Sequence, residues 1–279
     1  MNCRFSIGDS IPSRLTDRHI DIRANSKRAG TYCVVAASVR GRLHEYNETP
    51  RDDAFVARCD GTWLAVAVSD GLGSRPLSRY GASFAVNKLC TRFLRSVTHL
   101  ECYRLDQTVH NAFRKTRADM EQFALKHNTP LDDLHCTLLG LILNIETGIV
   151  GIGQIGDGLI LGLTNEKEAI TLLEPPVPDE VGATYVFTQT NWEQYFHSAG
   201  LLSDEAERFK TFYLMTDGVA DDCQYGPPPD ILERWANDMD REIRMFPPMK
   251  TAQRLRRYLA TYQVKGSFDD RTLVAVYRQ

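Results

Sequence analysis

Four short segments of the 279-residue chain place aspartates beside apolar runs. They read Ala-Val-Ala-Val-Ser-Asp-Gly at 65–71, Gly-Gln-Ile-Gly-Asp-Gly at 153–158, Phe-Tyr-Leu-Met-Thr-Asp-Gly at 212–218 and Phe-Asp-Asp-Arg-Thr-Leu-Val-Ala-Val at 268–276. A carboxylate at the end of a buried strand is costly unless its charge is compensated, and several carboxylates brought together repel one another. Divalent cations relieve both costs. Because the ligands would be hard oxygen atoms without a matching set of His or Cys, the pattern indicates Mg²⁺ or Mn²⁺ rather than zinc.

The sequence predicts many short strands and four helices, and these elements must position the carboxylates. β-branched and aromatic content, with Gly, Asn and Pro at the breaks, predicts strands at 32–39, 54–57, 62–69, 137–144, 149–154, 159–163, 169–173, 184–188, 212–216 and 272–277. Apolar stripes at helical spacing predict helices at 78–97, 106–126, 230–244 and 250–262. We therefore expect an α+β fold, a four-layer α/β/β/α sandwich of two mainly antiparallel sheets flanked by helix pairs.

The length allows two average domains or one large one, and the pattern favours one. Residues 1–30 are polar and weakly patterned, which indicates an N-terminal extension or an irregular first element. The domain that carries the aspartate segments is expected to occupy residues 31–279.

Composition excludes several classes of protein. The net charge of −3 provides no basic field for nucleic acid or an anionic membrane. No apolar run is long enough to span a membrane, and the first thirty residues lack the apolar centre of a signal peptide, so we expect a cytoplasmic protein. The 7 cysteines form no CxxC pair and the 7 histidines no HExxH motif, which indicates reduced structural thiols and disfavours zinc hydrolysis.

Six blocks follow one another along the chain: Pro50-Arg-Asp-Asp-Ala-Phe55, Ser69-Asp-Gly-Leu-Gly-Ser74, His135-Cys-Thr-Leu-Leu139, Gly156-Asp-Gly158, Thr216-Asp-Gly218 and Asp269-Asp-Arg-Thr272. In this order they resemble the first acidic block, the metal-bridging Asp-Gly loop, the Thr-bearing strand, the Gly-Asp-Ser turn, the late Asp-Gly and the closing Asp-Asn-x-Thr of the metal-dependent Ser/Thr protein phosphatases of type 2C. The small bacterial members are the most similar. A single Asp-Gly dipeptide is also common in turns, so the resemblance rests on the order of the six blocks rather than on any one of them.

The resemblance implies a site for two divalent cations, Mn²⁺ or Mg²⁺. Asp70 would bridge the two ions, and the main-chain carbonyl of Gly71 would complete one coordination shell. Asp217 and Asp269 would bind the first ion. Asp70, Asp217 and Asp269 are therefore the expected catalytic residues.

The second ion and a third, weaker one have their own candidates. Asp53, with Asp52 beside it, would hold the second ion directly or through water. Asp132, or Asp133 in its place, is a candidate ligand of the third. Asp157 lies in a Gly-Asp-Gly sequence that a hairpin turn alone would explain, so the choice between turn and site stays open.

The resemblance also implies a mechanism and partners. Two cations would activate a water molecule that attacks the phosphorus of phosphoserine or phosphothreonine, without a covalent intermediate. Eukaryotic members carry a His after the bridging Asp-Gly, where this chain has Leu72, so the leaving group must take its proton from water or another residue. We expect the substrate to be a phosphorylated protein and a cognate Ser/Thr kinase to be a partner in signalling. We also expect the protein to be a monomer. Two alternatives are an inactive phosphatase-fold binding or sensory module and a metal-dependent hydrolase of a non-protein phosphoester.

The position that binds the substrate phosphate in many family members holds a different type of residue in this chain. Many members have an Arg five residues before the first-block Asp, where this chain has Glu48, an anion. The candidates to replace it are His44, in the stretch Arg40-Gly-Arg-Leu-His44, and Arg51, next to the acidic pair. Arg grips two oxygens and stays charged, whereas His is partly charged near neutrality.

Overall fold

The computed structural model of the chain describes residues 22–97, 104–176, 183–224 and 230–279. Their strands are β1 Ile22–Ala29, β2 Tyr32–Val39, β3 Ala54–Cys59, β4 Trp63–Ser69, β5 Leu138–Asn144, β6 Val150–Ile155, β7 Leu159–Thr164, β8 Ala169–Leu173, β9 His197–Leu201, β10 Phe209–Met215 and β11 Arg271–Arg278. One sheet has six strands in the order β1-β2-β11-β10-β7-β8, and the other has five in the order β3-β4-β5-β6-β9. Every pairing is antiparallel.

Helices cover the outer faces of both sheets. They are α1 Arg42–Tyr46, α2 Ser78–Ser96, α3 Leu105–Lys126, α4 Ser203–Glu207, α5 Asp217–Gln224, α6 Ile231–Arg244 and α7 Pro248–Thr261, with short 3₁₀ turns at Leu131–Leu134 and Trp192–Tyr195. The pair α2 and α3 packs on the five-stranded sheet, while α5 and α7 pack on the six-stranded sheet and α6 packs beside them. The predicted α+β sandwich of four layers is confirmed.

Three apolar clusters separate these layers. The central cluster lies between the sheets and includes Phe55, Leu141, Leu214 and Val274, all fully or almost fully buried. The outer clusters lie under α2 and α3 and under α5 to α7. Because both faces of the central strands are covered, their sequences read as nearly continuous apolar runs rather than as alternating ones.

Most strand and helix predictions are confirmed within a few residues, but the prediction of a strand at 184–188 is wrong. This segment is irregular and ends in a turn. Its Phe187 N–H donates to the Cys136 carbonyl (2.8 Å), and Arg117 donates to the carbonyls of Phe187 and Thr188. A buried guanidinium therefore satisfies carbonyl groups that a neighbouring strand would otherwise bind.

The sequence pattern did not predict two of the strands. Residues 22–29, within the predicted extension or irregular element, form the regular edge strand β1, which pairs with β2 along its whole length. Residues 1–21 lie outside the described residues. The strand β9, His197–Leu201, contains neither β-branched nor aromatic residues.

The cysteines and helices of the described residues show two further features. Cys33, Cys59, Cys90, Cys136 and Cys223 are free thiols. No helix in this part of the chain is long and apolar enough to cross a membrane.

Candidate metal centre

The strand registers bring the predicted carboxylates to one edge of each sheet. In the five-stranded sheet Ala54 pairs with Ser69. Asp53, directly before β3, and Asp70, directly after β4, therefore lie at the same end of this hairpin. The N–H of Thr137, directly before β5, donates to the Asp70 carbonyl (2.8 Å) and holds the third strand at this edge.

The six-stranded sheet presents its carboxylates in the same way. Met215, the last residue of β10, pairs with Leu273 of β11 and with Leu159 of β7. Asp217 follows β10 by two residues and Asp269 precedes β11 by two. Antiparallel pairing thus places both aspartates at one edge of this sheet, although they are 52 residues apart in the sequence.

The carboxyl group of Asp53 joins the two edges. Its Oδ2 accepts hydrogen bonds from Thr216 Oγ1 (2.9 Å) and Thr272 Oγ1 (2.6 Å), which both belong to the six-stranded side. Thr272 Oγ1 also lies 2.5 Å from Ser38 Oγ. Asp53 is 3% exposed, so this network fixes one of its oxygens in the interior between the sheets.

Main-chain contacts fix the Asp70 loop. The Asp70 N–H donates to Thr137 Oγ1 (3.0 Å). A Cβ atom on Gly71 would lie 2.8 Å from the Ser78 carbonyl carbon, so a side chain there would collide with the first residue of α2. Glycine is therefore required at position 71 for packing, apart from any contact with an ion.

Asp217 and Asp269 are held by similar local bonds. Asp217 Oδ1 accepts the Gly218 N–H (2.7 Å), and Asp269 Oδ1 accepts the Asp270 N–H (2.8 Å). A Cβ atom on Gly218 would lie 2.0 Å from the Asp270 carbonyl oxygen, so only glycine lets the start of α5 approach the strand β11 this closely. Each carboxyl keeps its second oxygen for another partner.

Five carboxyl groups at this edge repel one another. Burial is the largest cause that raises the pKa of Asp70 well above its usual range, followed by the charges of Asp217, Asp53, Asp269 and Asp157. The pKa of Asp217 is raised well above its usual range by burial and then by Asp157, Asp269 and Asp53. Burial also comes first among the causes that raise the pKa of the other three. The cluster therefore favours protons or metal cations among its oxygens.

The donor set fits divalent cations. Asp53 Oδ1 and Asp157 Oδ1 are buried and have no hydrogen-bond partner among the described residues. Within the same residues, no three His, Cys, Asp or Glu side chains converge as a ready-made metal site. Oxygen-only donors suit Mg²⁺ and Mn²⁺, and such an ion would satisfy the two orphaned oxygens.

Sequence reasoning missed Asp221 and left Asp157 open between turn and site. Burial raises the pKa of Asp221, and Asp157 is the next cause. Asp221 lies four residues after Asp217 on α5, and this spacing places both side chains on one face of the helix. The four-residue spacing from Asp217 could therefore have indicated Asp221 from the sequence. For Asp157 the burial of its carboxyl, which no pattern reveals, identifies it as part of the cluster.

Asp270 occupies the place of the family's Asn and acts as a hub of hydrogen bonds. Its Oδ1 accepts the Gly41 N–H (2.7 Å) and lies 2.9 Å from His44 Nδ1. Its Oδ2 accepts the N–H groups of Asp52 (2.6 Å) and Asp53 (3.4 Å). The hydrogen bond to Asp270 is the main cause that raises the pKa of His44 to about 9, so the imidazole is a cation at neutral pH.

Asp52, His44 and Arg51 surround the rim of the cluster. The Asp52 carboxyl accepts a hydrogen bond from Ser78 Oγ (3.2 Å), and its Oδ2 lies 3.9 Å from His44 Nε2. The His44 side chain is 14% exposed. Arg51 is 4% exposed, and its Nη1 donates to the Ser38 carbonyl (3.1 Å). Of the two candidate phosphate-binding cations, His44 is thus the more accessible.

The structure does not bring Asp132 into the cluster. Its side chain is 69% exposed on the 3₁₀ turn, and its Oδ1 lies 3.9 Å from His135 Nε2. The alternative, Asp133, accepts the Leu77 N–H (3.1 Å) through its main-chain carbonyl. These two residues support the connection to α2 rather than the edge where the other aspartates meet.

Comparison with known proteins gives one family match and several fold matches. The sequence profile described as protein phosphatase 2C matches residues 40–260. No curated protein sequence is significantly similar to the chain. The fold is similar to that of RsbX, solved in complex with magnesium, with a TM-score of 0.57 and 12% identity over 92% of this chain and 100% of that chain.

Two further solved structures have the same fold. The Mycobacterium tuberculosis serine/threonine phosphatase PstP/Ppp superimposes with a TM-score of 0.55 and 14% identity, over 89% of this chain and 99% of that chain. A bacterial serine phosphatase gives a TM-score of 0.63 and 13% identity, over 88% and 97%. At these identities the likeness concerns the fold alone.

Proposed function

Since this chain belongs to the protein phosphatase 2C family, we propose that it hydrolyses phosphoserine and phosphothreonine in proteins with two bound divalent cations, Mn²⁺ or Mg²⁺. The observation that carries the proposal is the cluster of five carboxyl groups at one edge of the two sheets, in which Asp53 is buried, Asp70, Asp157 and Asp217 are half-buried and Asp269 is exposed. Two of its oxygens have no hydrogen-bond partner among the described residues. Carboxyl groups whose pKa values are raised by burial and by one another are typical of functional sites.

The cluster supplies oxygen ligands for both cations. Asp70, whose carboxyl is influenced by all four other members, is the candidate bridging ligand, with the Gly71 carbonyl beside it. Asp217 and Asp269 would hold the first cation with the oxygens that their local N–H groups leave open. Asp53 would hold the second cation.

Two further positions refine this assignment. Asp52, half-buried at the rim, would support the second cation directly or through water. For a third, weaker ion, Asp157, whose Oδ1 is buried, and Asp221, whose pKa the charge of Asp157 helps to raise, are better placed than Asp132, whose side chain is 69% exposed beside His135.

When bound, the two cations would lower the pKa of a water molecule enough to supply the nucleophile near neutral pH. The chain itself keeps the ligands in place: Thr216 and Thr272 fix Asp53, and Asp270 fixes the loop that carries Asp52 and Asp53. Pre-ordered ligands of this kind spare the reaction the cost of arranging them.

The nearby thiol does not compete for the role of nucleophile. Cys136 lies directly before Thr137, and burial raises its pKa to about 12. It is therefore an uncharged thiol at neutral pH, whereas the thiolate is the reactive form. This supports direct attack by water without a covalent phosphoenzyme.

His44 is the proposed phosphate-binding cation. It is charged at neutral pH, partly exposed, and lies at the rim beside Asp52. Arg51 would have to leave its buried bond to the Ser38 carbonyl to reach a substrate. Leu72 stands where eukaryotic members have a His, so water or another residue would protonate the leaving oxygen.

The experiment that tests this function measures phosphate release with Mn²⁺ from a phosphothreonine peptide and from an aryl phosphate, side by side. Turnover of the peptide that stops in Asp217→Asn supports the proposal. Turnover of the aryl phosphate alone would favour a hydrolase of non-protein phosphoesters. Saturable binding of the peptide without release of phosphate would favour an inactive binding module.

A further inference from the structure

A second charged pocket lies on the opposite side of the five-stranded sheet from the central core. It is a half-open pocket with a volume of about 320 Å³, lined by residues of the strand β3 and the helices α2 and α3. Its lining contains four cations, Arg58, Lys88, Arg92 and Arg95, and a single carboxylate, Asp119. In a chain with a net charge of −3, this is a strong local excess of positive charge.

One of these cations is already neutralised within the pocket. Arg92 donates to Asp119 through both Nε (2.8 Å) and Nη2 (2.6 Å), the fork geometry of a guanidinium with a carboxylate. Asp119, the one carboxylate of the lining, is therefore already paired with Arg92 and does not neutralise Arg58 or Lys88. The pair also links α2 to α3 and so keeps the wall of the pocket rigid.

Arg58 is held in place by neutral groups only. Its Nη1 donates to Thr91 Oγ1 (2.9 Å) and its Nη2 to Asn87 Oδ1 (2.9 Å). These acceptors are themselves anchored, because Thr91 Oγ1 donates to the Asn87 carbonyl (2.9 Å) and Asn87 Nδ2 to the Ser83 carbonyl (2.8 Å). The guanidinium is therefore pre-positioned, and its charge is not cancelled by a partner among the described residues.

Lys88 adds a second cation over an aromatic wall. Its Nζ lies 5.1 Å from the centroid of the Phe84 ring, which in turn packs against Phe123 (4.7 Å between centroids). The ring holds the flexible ammonium near the pocket without neutralising it. Arg58 and Lys88 thus offer two positive charges to one small volume.

We propose that this pocket is an anion-binding site for a phosphate group, separate from the metal centre. A phosphate dianion gains from both cations at once, whereas a carboxylate monoanion carries only half that charge. The volume lies near the lower end of the range of about 300–1,000 Å³ for ligand pockets and is ample for a single phosphate group.

The pocket is remote from the carboxylate cluster. Ser78, at the start of α2, contacts Asp52, and the proposed ligand Lys88 lies ten residues further on, which corresponds to about 15 Å along the helix axis. A phosphate bound here would therefore not be the one that reacts. Free inorganic phosphate or a phosphoryl group on a polypeptide would supply the same chemistry.

The test uses the full chain after chelation of metals, so its outcome does not depend on the proposed phosphatase activity. Inorganic phosphate replaces chloride at constant ionic strength while the amide NMR signals of Asn87, Thr91 and Arg92 are followed. We expect saturable shifts at these residues, with acetate binding about tenfold more weakly. Absence of saturation, or equal affinity for acetate, would overturn the proposal.

Matched variants locate the binding. Arg58→Gln and Lys88→Gln should each raise the Kd for phosphate about tenfold, because each removes a charged donor. The exposed controls Arg256→Gln and Lys115→Gln should leave it unchanged. If Arg58→Gln does not fold, Lys88→Arg and Lys88→Gln still decide the matter, since the first should keep the wild-type Kd and the second should raise it about tenfold. Equal effects of pocket and control variants would indicate non-specific attraction and contradict the site.

A second ligand separates the two sources of phosphate. The peptide arm uses a non-hydrolysable phosphonate analogue of phosphoserine in a peptide, again with chelated protein. Affinity at least about tenfold above that of inorganic phosphate would assign the pocket to phosphorylated polypeptides. Equal affinity would assign it to free phosphate, and both results support an anion site.

Discussion

His44 Nδ1 lies 2.9 Å from Oδ1 of the buried Asp270, and this pair connects the helix α1 to the start of β11. Asp270 replaces the neutral Asn of the family pattern, and the cationic His44 compensates the added charge. Because Asp270 also binds the main chain at Asp52 and Asp53, this carboxylate holds the first acidic block in position.

The first prediction concerns Asp270→Asn. The carboxylate accepts two contacts on each oxygen, and an amide would turn one accepting oxygen into a donor that faces N–H groups. We expect a loss of about 1–3 kcal/mol in the free energy of unfolding and weaker binding of Mn²⁺. Urea unfolding and a Mn²⁺ titration check both effects. Asp238→Asn, on the exposed face of α6, is the control, and equal stability of the two variants would contradict the role of Asp270.

The second prediction concerns the pH dependence of stability. Since the pKa of His44 rises to about 9 in the folded chain, its charged form stabilises the fold. This contribution is complete below the unfolded pKa of about 6.5 and is lost as the pH rises through about 9. Between pH 7 and 10, the free energy of unfolding of the chelated protein should fall by about 1–3 kcal/mol more in wild type than in His44→Gln, because the cluster carboxyls with raised pKa values titrate in both proteins. A control variant, His127→Gln, should keep the wild-type slope.

The third prediction concerns His44 as the proposed phosphate-binding cation. Because His44→Gln removes the charge at the rim, it should raise the KM for a phosphothreonine peptide about tenfold while the Mn²⁺ affinity changes little. Arg51→Gln should act on stability instead, since Arg51 is buried on the Ser38 carbonyl. An unchanged KM in His44→Gln would show that another group, or the cations alone, holds the phosphate.

The fourth prediction concerns the hydroxyl that orients Asp53. Thr272→Val removes the donor to Asp53 Oδ2 and the contact with Ser38, so the buried carboxyl loses one of its two hydroxyl donors. We expect about 1–3 kcal/mol of destabilisation and weaker binding of Mn²⁺. Thr261→Val, an exposed threonine on α7, serves as the control. If Mn²⁺ binding is the same in both variants, Asp53 is not a ligand that Thr272 positions.

The sequence predicted the layers and central strands because their apolar runs and turn residues leave few alternatives. It failed at β1, where polar residues occupy an edge strand, and at 184–188, where a β-branched run is held by Arg117 instead of a neighbouring strand. The helix α5 was missed because Asp217-Gly218 reads as a turn, although these residues begin a helix. Long-range hydrogen bonds decide each of these cases, and no local pattern contains them.

The candidate site also contains residues that the sequence could predict and residues that it could not. The order of the sequence blocks identified Asp53, Asp70, Asp217 and Asp269, which strand register then brings to one edge. The hub role of Asp270 could not be predicted, because its partners lie more than two hundred residues away in the sequence.

The most direct test of the central claim, that the carboxylate cluster holds catalytic divalent cations, compares wild type with Asp70→Asn. Wild type should release phosphate from a phosphothreonine peptide with Mn²⁺, stop after chelation, and recover when Mn²⁺ is restored. Asp70→Asn should remain folded, and without metal it should be at least as stable as wild type because a repelling charge is gone. Its rate should fall below about a tenth of the wild-type rate, equivalent to about 1.4 kcal/mol or more of lost transition-state stabilisation. Full activity after exhaustive chelation, or a rate in Asp70→Asn close to that of wild type, would contradict the account.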